Sequence, residues 1–240
     1  MPFLAANDDG PARVLLEQLP AGRFRLLEGF RYEHPDGRRS FRVEPQVLDQ
    51  TDLTSVPFMF RWFVNTYGPH TLPALLHDCL IDADKAALAL VDGALGPPTR
   101  LEADDVFLTS LGEQDVPFVR RHLMWSSVVF QTRRKHSGPG PRAAMYVWIV
   151  AAFAGTALTW WSATTRPLQL LPLLAGVLGP LPFALLWGRS ARAAAWFGYG
   201  VVLLLPAGVV VLLSYGVYAL CEWLLRPFTR SAPPPGVRRF

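Results

Sequence analysis

The sequence predicts an α+β chain: an N-terminal β-hairpin, a small helical domain with a His-Asp helix, then about three transmembrane α-helices. Three observations carry this expectation. "RFRLLEGFRYEH" and "RSFRVEP" flank "PDGR", with Pro and Gly where a turn wants them. From Phe58 the hydrophobic pattern turns helical. After the Gly/Pro-rich "SGPGPR" (137–142) the chain is nearly free of charge.

Taken in order, residues 1–23 read as an N-terminal extension. Residues 24–132 form the soluble domain, 133–142 a basic Gly/Pro linker, 143–225 a transmembrane region, and 226–240 a disordered tail with "SAPPPGVRRF" at its end. Within the domain, an extended loop "QVLDQTDLTSVP" follows the hairpin. Val56 precedes a proline and should be extended, while Pro57 suits a first helical turn. A helix beginning near Thr71 carries His77 and Asp78 and continues to about Leu90. "PPTRLE" then offers Thr99 as N-cap with Glu102 three residues on, a capping box. That helix stops near Gly112. The next starts at Asp115, with Pro117 in its first turn, and runs to the linker.

Three apolar stretches follow, about 143–163, 168–187 and 195–224. Each meets the roughly 20 residues that a helix needs to cross the hydrocarbon core. Trp160, Trp161, Trp187, Trp196 and Trp223 sit near the ends, where indoles favour the headgroup level. Pro172, Pro180 and Pro182 weaken the second stretch, so a re-entrant second segment stays open as an alternative.

Charge divides the same way. Met1 to Arg142 holds 16 Lys/Arg and 18 Asp/Glu; the remainder holds 7 Arg and one acid, Glu222. The net +4 comes from arginines around apolar stretches, so nucleic acid is not an expected partner; the lipid bilayer is. The positive-inside count is nearly balanced. "MPFLAANDDGPARVLLEQ" has neither a basic n-region nor a long apolar h-region. A folded front domain without a signal is hard to export, which predicts a multi-pass protein of the cytoplasmic (inner) membrane with its N-terminal domain inside. The two cysteines, Cys79 and Cys221, predict no disulfide framework.

At about 100° per residue, Leu72, Leu75, Leu76, Cys79, Leu80, Ala83, Ala87 and Leu90 share one face of the His-Asp helix. His77 falls opposite and Asp78 on a flank, so periodicity puts the pair on a polar side. Asp104 is different. It lies on an apolar stripe with Leu101, Leu108 and Leu111, where a carboxylate is costly unless paired or bound to a cation. A partner is expected: His77, Arg61 or the Asp52 loop. Asp105 points outward.

"TDLTSVPFMFRWFV", "LPALLHDCLI" and "EADDVFLTSLGEQDVPFVRRHLMWSSVVF" come in the order and with the character of a phage-associated bacterial family, domain of unknown function 1353. The chain resembles it over about residues 24–132. The resemblance implies that Asp52, Ser55, His77, Asp78 and Asp104 stand at the family's recurrent polar positions. Ile81 replaces the tyrosine expected after "HDxL", and "DADKAALALVDGALGPP" makes the next segment long.

Two readings follow. In one, the chain is a membrane-anchored structural or interaction module, with a protein partner or a second copy. In the other, Asp52, Asp78 and Asp104 hold a divalent cation (Mg, Ca, Mn or Zn) and Ser55 assists binding. His77 then acts as general base in hydrolysis of a lipid or phosphoester.

Overall fold

The computed structural model describes residues 3–7, 10–20, 23–51, 63–65, 67–93, 95–165, 170–179 and 181–229. The predicted hairpin forms from β4 (Phe30–Glu33) and β5 (Arg39–Val43), in the register Phe30↔Val43 and Tyr32↔Phe41. Gly37, at φ +65°, closes the turn in the left-handed region that suits glycine. Side chains alternate across the pleat, so Phe30, Tyr32, Phe41 and Val43 all point inward and are fully buried. Burying side chains of this size contributes about 1.5–3 kcal/mol each.

Two further strands complete the sheet in the order β1-β4-β5-β6. β1 (Phe3–Ala5) pairs antiparallel with β4, and β6 (Leu90–Gly93) pairs with β5 across an irregularity at Ser40/Phe41. β2 (Leu16–Gln18) and β3 (Phe24–Leu26) form a separate ribbon, extended by a bridge from Phe24 to Thr51. The first 23 residues, read from sequence as an N-terminal extension, supply two strands, β1 and β2.

The helix that carries the His-Asp pair is shorter than expected. α1 (Thr71–Leu80) ends at Ile81, and α2 (Ala83–Ala89) starts anew. Asp82 breaks them: its side chain accepts from the N–H groups of Asp84 and Lys85, a local cap that outcompetes helix continuation. The expected face therefore holds only as far as Leu80. Beyond the break Ala83 and Ala87 are exposed, and Ala86 and Ala89 are buried instead. The chain then turns into β6, which periodicity did not reveal.

α3 (Arg100–Glu113) opens with the predicted capping box between Thr99 and Glu102. α4 (Phe118–His136) and α5 (Pro139–Thr165) take up most of the Gly/Pro segment, leaving Ser137 and Gly138 as the elbow. The buried side chains of α1 and the sheet form one core. A second joins Trp125 and Val129 of α4 to Met145, Trp148 and Ala152 of α5, and to Trp187, Ala193 and Ala194 further on.

Among the described residues, two helices are long and apolar enough to cross a membrane, not about three: α5 and the segment Leu204–Leu225 of α8 (Ala191–Thr229). The second apolar stretch is not one helix. It is broken into α6 (Leu170–Leu178), α7 (Leu181–Ala184) and a 3-10 turn (Leu185–Ser190). Pro180 and Pro182 lack the N–H that a continuous helix would use there. Trp187 leaves the expected interfacial set as well. It is 1% exposed, with Arg133 bonding its carbonyl at 2.9 Å and lying 5.2 Å over its ring. Trp160, Trp161 and Trp223 stay exposed. α8 reaches Thr229; residues 230–240 of the expected tail lie outside the described residues.

Candidate functional site

α1 and α3 pack side by side and bring His77 against Asp104. His77 Nε2 stands 2.8 Å from Asp104 Oδ1, and since an ionised carboxylate has no proton to give, Nε2–H is the donor. The His77 side chain is 10% exposed and that of Asp104 fully buried. The Phe107 ring lies 4.9 Å from the imidazole and covers it. His77 is thus not on a solvated side. Periodicity identified the residues facing the sheet, but α3 covers the opposite side of α1 as well. The Asp104 expectation holds: the carboxylate is buried and its partner is His77.

Asp78 goes elsewhere. It is half-buried and accepts from Thr51 Oγ1 at 2.5 Å. Adjacent residues on a helix diverge by about 100°, which sends the two side chains of the pair to different neighbours. Thr51 was not singled out from sequence; its position beside Asp52 in "QTDLTS" was the available signal. Asp52 and Ser55, expected as a metal ligand and a binding residue, lie outside the described residues, as does the predicted helix start at Pro57. Among the described residues, no group of three His, Cys, Asp or Glu side chains is placed to hold a metal ion.

One polar atom of the pair remains open: Asp104 Oδ2 is buried with no hydrogen-bond partner among the described residues. Asp105 sits on the outer side of α3. Partial desolvation, then the charge of Asp104, raise its carboxyl above the ordinary range.

Neighbouring groups are structural. His70 is buried, and its Nε2 contacts the Asn65 carbonyl at 2.9 Å. Burial lowers its pKa by disfavouring the imidazolium. Burial also pushes the Cys79 thiol up to about 12, which leaves it un-ionised and inert. A cleft of about 450 Å³ opens between Val14, Leu16 and Phe24, in and just before the small ribbon, and Tyr67 and Thr71, just before and at the start of α1. Neither His77 nor Asp104 lines it.

The front region is thus an α+β domain whose histidine–carboxylate pair is locked under helix packing. The last helix of that domain, α4, also grips two apolar helices. Residues 24–128, the DUF1353-like front domain, match the family model described as "Protein of unknown function (DUF1353)". No curated protein and no solved structure matches the chain.

Proposed function

We propose that the chain is a membrane-anchored module that works by contact, with a protein partner or a second copy, rather than by turning over a substrate. The carrying observation is the His77–Asp104 bond, sealed inside a packed core at 10% and 0% side-chain exposure, while the cleft opens elsewhere. A pair so placed holds α1 to α3. Calorimetric titration of the full chain in detergent with calcium, magnesium, manganese and zinc tests this reading. The expected outcome is no binding tighter than about millimolar, or about −4 kcal/mol, and a melting temperature unchanged by chelator.

One observation favours a second reading, a divalent-metal-dependent hydrolase. The unpaired Asp104 Oδ2 is the kind of oxygen that a hard cation takes. Asp52 and Asp78 would join it as ligands, with Ser55 beside them and His77 as base. Stoichiometric metal that is lost in Asp104→Asn and kept in His77→Ala would replace the first reading with this one.

The membrane arrangement belongs to the same proposal. The broken segment returns along α5: Gly176 sits against Gly155 and Thr159, and Trp187 comes back to 5.3 Å from Trp148. The run is antiparallel, which supports a third crossing between α5 and α8. The DUF1353 domain then lies on the cytoplasmic side of the inner membrane and the end of α8 on the other.

A further inference from the structure

α8 changes character along its length. Up to Gly200 it is held by protein: Trp196 stacks on His122 at 4.8 Å, Phe197 on Phe130 at 4.6 Å, and Gly200 lies against Leu123. Beyond it, only 6% of the apolar window within Leu204–Leu225 is buried. The near surface of the bilayer therefore falls close to this change.

The first turn of α4 lies at the same level. The Phe118 ring packs 5.6 Å from that of Trp196, eight residues or about 12 Å before Leu204. Yet Phe118 and Val119 are 57% and 49% exposed, although the rest of the same helix buries Leu123, Met124 and Trp125. Arg121 lies 5.2 Å over the Phe118 ring, and Arg120 lies 5.7 Å over that of Phe63. Tyr199 adds a part-exposed phenol one turn along α8. Apolar and aromatic side chains flanked by guanidinium groups suit the boundary between acyl chains and phosphates.

We propose that the first turn of α4 is a lipid-seating edge: Phe118 and Val119 enter the near leaflet, with Arg120 and Arg121 at phosphate level. The DUF1353 domain then sits on the bilayer in one fixed orientation instead of hanging from a tether. This inference rests on the membrane reading above and adds a surface to it. The lipid commitment follows from continuity with the unpacked apolar length of α8.

Spin-label depth measurement tests it on the full chain in nanodiscs of phosphatidylethanolamine and phosphatidylglycerol. In a Cys221→Ser background, with Cys79 buried, nitroxides are placed through Val119→Cys, Leu213→Cys and Gly138→Cys. Leu213 is an exposed residue of α8, and Gly138 is an open position at the other end of α4. The expected result is loss of collisions with a water-soluble nickel chelate at 119 and 213, oxygen collisions retained at both, and free nickel access at 138. Nickel access at 119 with none at 213 overturns the proposal and leaves the membrane reading standing. Nickel access at 213 overturns both. Shielding of 119 from nickel and oxygen alike means that protein, not lipid, covers this edge, and the proposal falls.

Discussion

Asp104 and Asp105 are neighbours with opposite fates, and the helix turn between them sets the difference. Asp104 was legible in the sequence, because a carboxylate on an apolar stripe must have a partner, and His77 was among the partners expected. The burial of His77 was not legible, because α1 is covered by the sheet on one side and by α3 on the other. Asp104→Ala removes the hydrogen-bond partner of a buried imidazole and should cost about 2–4 kcal/mol. Asp105→Ala, at the surface, should cost about 0.5 kcal/mol or less. Thermal melting of the two variants in the same detergent checks this, and equal shifts would mean that the α1–α3 bond contributes little. His70 gives a pH prediction. Its folded pKa lies below the unfolded value of about 6.5, so the unfolded state binds the extra proton. The associated stability is present above that value and declines as pH falls through it. The melting temperature should therefore drop on acidification from neutral pH, with a shallower slope in His70→Gln, whose amide can still donate to the Asn65 carbonyl.

At the scale of elements, α4 faces two ways. One side packs into the DUF1353 domain through Met124, with Phe107 and Leu111. The other side, with Trp125, Val129 and Phe130, packs on α5, the 3-10 turn and α8. Removing everything after Gln131 would bare that second face. The fragment Met1–Gln131 should then self-associate, in contrast to a full chain that runs as one species in detergent; size-exclusion chromatography with light scattering distinguishes the outcomes. A well-behaved monomeric fragment would show that this face is not needed for solubility. Trp187→Ala should loosen the same junction by about 3 kcal/mol, because it removes a fully buried indole together with the surface on which Arg133 rests. The capping box at Thr99 and the Pro-Gly hairpin were readable from local sequence because each closes its hydrogen bonds within a few residues. Strands β1, β2 and β6 were not. They are three or four residues long, and β1 and β6 find their partners far along the chain.

For the whole molecule, exposed Cys221 near the end of α8 and buried Cys79 make topology measurable without substitution. With three crossings, a membrane-impermeant maleimide should label Cys221 in spheroplasts and not in sealed inverted vesicles. The reverse pattern would place the end of α8 on the cytoplasmic side and remove the third crossing. The full chain should need detergent for extraction, since α5 and α8 expose apolar side chains such as Val150, Leu213 and Val217. The sequence alone determined the α+β front, the apolar back, the DUF1353 resemblance and the need for a partner at Asp104. The resemblance rests on three ordered motifs; the others are properties of composition, period or local hydrogen bonding. Tertiary structure decided that His77 is buried, that Asp78 turns to Thr51, that Trp187 is core, and that the second apolar stretch is broken. Each of these depends on which surface a distant element covers, and periodicity along one helix cannot report what packs against its other side.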